Sequence, residues 1–148
     1  MKLVDANVLL YAIDERSPRH EAARAWLEQQ LGGDDTVAFA WAALLAFVRV
    51  STSSRVFERP LVPARAFDVV DRWLAQPCAI ILHPGDRHPQ LMRQLLAPLG
   101  TAGNLVSDAH LAALAIEHGA ELNSCDSDFS RFSGLRWVNP LPARRQPL

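Results

Sequence analysis

Short apolar runs of strand length alternate with stretches of helical period along the chain, and this alternation leaves few folds open. Strand-like runs fall at Lys2–Asp5, Val37–Phe39, Ala79–Leu82, Ala120–Asn123 and Arg136–Val138. Helices are expected over Ala6–Ile13, from Pro18 through Gln30, and over Trp41–Ser51, Ala64–Ala75, His88–Ala97 and Leu105–His118, with a single turn near Asp128–Phe132. Ala22, Ala25, Trp26 and Leu31 give the second of these an apolar stripe, and Gly32-Gly33 ends it. Strands separated by helices pair in parallel, because each crossover returns the chain to the same end of the sheet and lays its helix on a face. The expected class is therefore α/β, a three-layer α/β/α domain around a central, mainly parallel sheet of about five strands.

At 148 residues the chain has the length of one domain, expected over 1–140 with an irregular tail over 141–148. A chain of this size buries roughly 70% of its unfolded surface. A hydrophobic content of 49% with 21% charged residues fits a globule rather than a disordered chain. Net charge is −1, so nucleic-acid binding would have to come from a local basic patch. Fourteen of the fifteen basic residues are Arg, the side chain suited to bidentate phosphate contact, although GC-rich codon usage, which the Ala richness also fits, is the better explanation of that bias. Cys78 and Cys125 make no CxxC or zinc-like spacing and read as thiols in a reducing compartment. No apolar run approaches the ~20 residues of a membrane span, and no leader-like segment precedes Asp5, so a cytoplasmic protein that does not enter membranes is expected.

Four acids stand where apolar segments meet turns or helix starts: Asp5, Asp108, Asp126 and Asp128. In open α/β sheets ligands bind at the carboxyl ends of strands, where Asp5 and Asp126 fall. Asp108 interrupts a small apolar face made by Leu111, Ala112 and Ala115, and a buried charge needs a partner or a metal. Converging carboxylates repel unless a cation neutralises them, and Mg²⁺ or Mn²⁺ take oxygen ligands that bridge to phosphates. Metal-assisted phosphodiester chemistry is the implied function. Each acid also has a plainer role: Asp5 as an N-cap, Ser107 or Asp108 as the cap of a later-starting helix, and Asp126 and Asp128 as Asx-turn and cap residues. Ser124 either orients a water or metal ligand or simply ends a strand. The five histidines show no HExxH or paired ligand spacing, and His110 lies about 200° around its helix from Asp108.

At Val4-Asp5-Ala6-Asn7-Val8-Leu9-Leu10-Tyr11-Ala12, Asn104-Leu105-Val106-Ser107-Asp108-Ala109-His110-Leu111-Ala112 and Ser124-Cys125-Asp126-Ser127-Asp128-Phe129, the chain resembles the PIN-domain ribonucleases. Within them it is similar to the VapC toxins of bacterial toxin–antitoxin modules, and the likeness extends through Leu135-Arg136-Trp137-Val138-Asn139-Pro140. The resemblance implies a Mg²⁺- or Mn²⁺-dependent endoribonuclease that forms a homodimer and is inhibited by a small VapB-type antitoxin. It implies Asp5, Asp108 and Asp126 as acidic catalytic and metal-site residues, Asp128 in or near the metal site, and Asn7 and Ser124 in support. One departure stands out. The family usually has a glutamate in the segment matching Leu44–Val50, where this chain has Ala46 and no acid between Asp35 and Glu58.

Four remaining readings follow from these residues. The loss at Ala46 is expected to weaken metal binding or leave one ion instead of two, or else to mark a degenerate module that binds antitoxin or RNA without cleaving. Arg49, Arg55, Arg59 and Arg131 are candidate phosphate contacts, against the commoner role of each as a solvated surface charge. The Trp41–Val50 helix and the Trp73 helix offer apolar surface for a second copy, for an antitoxin, or for the core. A phosphohydrolase with an aspartyl nucleophile is disfavoured, since such enzymes want a second Asp where this chain has Asn7.

Overall fold

The computed structural model describes residues 1–141 and 143. Its strands are β1 (Lys2–Val4), β2 (Val37–Phe39), β3 (Ala79–Ile81), β4 (Glu121–Asn123) and β5 (Trp137–Val138). Its helices are α1 (Ala6–Ile13), α2 (His20–Leu31), α3 (Trp41–Ser51), α4 (Pro63–Leu74), α5 (His88–Leu96) and α6 (Leu105–His118). Every strand pairing is parallel, in the order β3-β2-β1-β4-β5. The chain therefore builds outward from β1 to β3, crosses the sheet, and resumes on the other side of β1 with β4. That reversal opens a crevice beyond the carboxyl ends of β1 and β4, the place where such sheets bind ligands.

Strand alternation assigns the two cores. Leu3, Ala38 and Leu122 point to the face covered by α5 and α6, while Val4, Val37 and Phe39 point to the face covered by α1 to α4. On the second face the Trp73 ring lies nearly parallel to Phe39 at 6.3 Å and edge-on to Phe47 at 4.8 Å. Trp73 is thus core, leaving Phe67 as the exposed aromatic of α4. The apolar α3 is divided: Leu44 and Phe47 are buried, whereas Trp41 and Leu45 face outward. No helix among the described residues is long and apolar enough to cross a membrane.

Element ends differ from expectation for identifiable reasons. β1 ends at Val4, one residue short, while Asp5 caps α1 as expected, from an extended conformation. Pro18 does not open α2; Ser17 makes a turn there, its carbonyl accepting from His20 and its hydroxyl from Arg19. Pro63 instead of Ala64 begins α4, where its fixed φ suits the first helical position. The turn after Asp126 is a 3₁₀ helix, Ser127–Arg131, and a further 3₁₀ turn, Ala97–Leu99, follows α5. Leu141, placed by sequence in the tail, is buried against the second core, and the rest of that tail apart from Ala143 lies outside the described residues.

The histidines pair only through tertiary structure. His88 Nε2 and His110 Nδ1 lie 2.9 Å apart, and Glu117 Oε2 sits 3.5 Å from His88 Nδ1 while accepting from the Gly85 amide. Burial, helped by His88, holds the His110 imidazole below its usual range. Phe47 is fully buried and Val56 is 64% exposed. Phe47→Ala is accordingly expected to lower unfolding free energy by about 3–5 kcal/mol, and Val56→Ala to change it by less than about 0.5 kcal/mol. Urea melts of the two variants check both values.

Candidate metal centre

The site begins with the turn from β1 into α1. Asp5 Oδ1 accepts from the Ala6 amide at 2.7 Å, as its capping position requires. Its Oδ2 accepts from Ser124 Oγ at 2.7 Å and from Asn7 Nδ2 at 3.2 Å. Ser124, fully buried at the end of β4, also accepts from Asn7 Nδ2 at 3.0 Å and from the Asp126 amide at 3.0 Å. Asn7 Oδ1 in turn accepts from the Cys125 amide, and Trp137 Nε1 on β5 donates to the Ser124 carbonyl. These bonds tie the ends of β1, β4 and β5 into one unit. Asp126 then accepts from the Asp128 amide at 2.9 Å, an Asx turn.

Asp108 arrives from the other side of the crevice, on the first turn of α6. The helix begins at Leu105 with Asn104 in the cap position, so neither Ser107 nor Asp108 caps it. Asp108, Asp126 and Asp128 each offer one carboxylate oxygen within 4.8 Å of the others. Asp5 stands behind this trio. It is 9% exposed with both oxygens already hydrogen-bonded.

The electrostatics express crowding. Burial pushes the Asp108 carboxyl up to about 6, with Asp126, Asp5 and Asp128 adding repulsion in that order. Burial also raises Asp5, more than the bonds from Ser124 and Ala6 lower it, and Asp126 adds to the rise. The Arg131 guanidinium is 3.7 Å from Asp128, but both groups are about half exposed and such a pair offsets little. An all-carboxylate donor set, short of positive charge, fits a hard divalent cation, which needs few protein oxygens and keeps several waters.

A hollow of about 330 Å³ runs beside these acids, lined by Asp5, Ala42, Ala46, Arg49, Ser107 and Asp108 among others. Ala46 does face the site, and the lining acids are Asp5 and Asp108 alone. The four candidate arginines are separated. Arg49 lines this hollow and Arg131 adjoins Asp128. Arg59 lines a larger groove of about 970 Å³ between α2 and α4, and Arg55 lines neither. The bridging roles of Asn7 and Trp137 could not be read from sequence, because each spans more than ten residues to reach Ser124 or its neighbour.

Comparison with known proteins agrees with this construction. The PIN domain family pattern matches residues 2–135. Ribonuclease VapC37 of Mycobacterium tuberculosis is 51% identical over 140 residues, covering 95% of this chain and 97% of that protein. The chain therefore belongs to the PIN-domain family, and within it to the VapC group. Among solved structures, VapBC2 from Rickettsia felis bound to a promoter DNA fragment superposes with a TM-score of 0.67 at 20% identity, covering 93% of this chain and 96% of that one. VapC20 of Mycobacterium tuberculosis, a Sarcin-Ricin loop cleaving toxin, gives 0.61 at 16% identity, covering 92% and 99%. These two likenesses speak for the fold.

Because folding raises the Asp108 pKa, the native state binds more protons than the unfolded chain between about pH 4 and about pH 6. Stability should fall as pH rises through that window. Without metal, Asp108→Asn is expected to stabilise the protein above pH 6 by about 1 kcal/mol, reduced from the full linkage value because the group is part-exposed. That corresponds to about 2–4 °C in melting temperature. Mn²⁺ should raise the melting temperature of the wild type at pH 7.5, and not that of the variant; thermal melts at both pH extremes, with and without Mn²⁺, test the pair.

Proposed function

We propose that this protein is a metal-dependent endoribonuclease, the toxin component of a type II toxin–antitoxin pair. The observation that carries the reading is the convergence of Asp108, Asp126 and Asp128 beside Asp5 at the sheet's switch point. It occurs in a chain 51% identical to a protein named as a ribonuclease of the VapC group. Asp108, Asp126 and Asp128 would hold the ion, with Asp5 completing the acidic set. A bound Mg²⁺ or Mn²⁺ supplies a Lewis acid for the phosphodiester and lowers the pKa of a water. The chain's own part is geometric. Ser124 and Asn7 fix the Asp5 oxygens, the Asx turn fixes Asp126 against Asp128, and the α6 turn sets Asp108 opposite. Such orientation by outer hydrogen bonds keeps ligands from sampling other rotamers.

The proposed partners are a VapB-type antitoxin and a second copy of the chain, in the cytoplasm. The Rickettsia felis neighbour is a VapBC complex, which supports the first. Trp41 and Leu45, outward on α3 at 41% and 53% exposure, supply apolar surface for the second. Ala46 favours one other reading, a module that binds its antitoxin or RNA without cleaving.

Cleavage of total RNA by antitoxin-free protein with Mn²⁺ or Mg²⁺ separates the two. Cleavage is expected, and should fall about 10²-fold or more in Asp108→Asn and vanish with EDTA. A folded wild type that leaves RNA intact under either metal would favour the binding module, or a substrate too narrow to register in the RNA pool.

A further inference from the structure

Arg49 is the basic residue of the acid-lined hollow, and its surroundings assign it a task. Ala42, Ala46 and Arg49 succeed one another at helical spacing on α3, and all line the hollow with Asp5 and Asp108. The two alanines end at Cβ, so the wall between carboxylates and guanidinium is short and uncharged. Arg49 is exposed and, among the described residues, makes no ion pair, although acids line the same hollow. Arg16, Arg24 and Arg131 each have a carboxylate partner. The hollow therefore has two chemically distinct ends, one that attracts a cation and one that offers a free planar fork of N–H donors.

We propose that Arg49 binds a phosphate of the RNA strand next to the one at the carboxylates, and that Ala46 keeps it free to do so. The inference rests on the ribonuclease reading. A glutamate at 46 would stand three residues before Arg49 on the same helical face, the separation at which side chains of opposite charge pair. It would add a ligand oxygen for the cation and occupy the guanidinium. Alanine does the reverse: the site has fewer carboxylates, and its cationic end stays open to a phosphate. Position 46 thus divides the hollow's affinity between metal and RNA backbone. Arg49 acts by contact with the substrate strand, away from the bond that breaks.

The test uses full-length protein carrying Asp108→Asn, so that RNA stays intact, and a fluorescein-labelled, mixed-sequence single-stranded 12-mer read by anisotropy across a salt series. Arg49→Ala should weaken binding about tenfold and reduce the log–log salt slope by about 0.7, the contribution of one phosphate on a single strand. Arg49→Lys should retain the slope and recover part of the affinity, because it keeps the charge and loses the fork. Ala46→Glu should reproduce the lowered affinity and slope, while in otherwise wild-type protein it tightens Mn²⁺ binding measured without RNA. Ala46→Gln, similar in size and uncharged, should leave the slope unchanged. Matched melting curves confirm folding of each variant. In cleaving wild-type background, Arg49→Ala should raise KM more than it lowers kcat.

An unchanged affinity and slope in Arg49→Ala overturns the proposal, as does an Ala46→Glu protein that binds RNA like its parent. Weakened antitoxin binding with RNA binding intact overturns it in favour of a protein contact. Failure of the ribonuclease reading is seen separately, as a wild type that cleaves no RNA; the anisotropy series does not depend on cleavage and still decides what Arg49 binds.

Discussion

Ser124 Oγ donates to Asp5 Oδ2 at 2.7 Å across the junction of β1 and β4, and the acidic site is organised around that bond. The two strands are neighbours only because the chain reverses direction across the sheet at this point. Without the reversal Asp5 and Asp126 would end on separate strands with no reason to meet. With it, one buried hydroxyl fixes Asp5, receives Asn7 and the Asp126 amide, and so sets the direction of the whole acidic turn. A buried polar group in such a network is costly if any partner is lost, which is why its members act together rather than singly.

This arrangement also explains how plain structural roles and chemical ones coincide. Asp5 is an N-cap, and Asp126 does make an Asx turn. Capping, however, accounts for one Asp5 oxygen while Ser124 and Asn7 engage the other, and the Asx turn leaves Asp128 free to face Asp108. The backbone duties orient the carboxylates; they do not neutralise them. Burial and repulsion from neighbouring acids raise Asp5 and Asp108 at one crevice, an unfavourable arrangement that a bound cation would relieve.

Much of the layout was legible because local pattern and global fold agree. The bounds of α1, α3 and α6 fall where periodicity puts them, and the parallel sheet follows from alternation alone. What the sequence leaves open or misplaces has two causes, one local and the other long-range. Pro18 does not open α2, because Ser17 makes a local turn that the helix follows. Trp73 could be surface or core until Phe39 and Phe47 were brought against it. His88, His110 and Glu117 look unrelated in sequence and pair only when α5 packs on α6. Asn7 drew notice as part of a motif, yet its two bonds to the end of β4 depend on contacts more than a hundred residues away. Contacts of that reach leave no periodic trace in a single sequence.

The near-neutral net charge is the remaining constraint, and the structure shows how it is met locally. A uniformly basic surface would attract RNA from a distance but would also compensate the carboxylates and weaken the case for a metal. Here the acids are concentrated at the sheet's switch point, and most paired arginines lie elsewhere, against Glu28 and Glu58. Positive charge at the crevice is left to Arg49, Arg131 and whatever cation the carboxylates recruit. On the proposed reading, attraction for a phosphate strand at this site would depend on metal occupancy, because carboxylates without a cation repel a phosphate. The proposed binding of a cation and of RNA would then be linked through charge, each strengthening the other by the same factor.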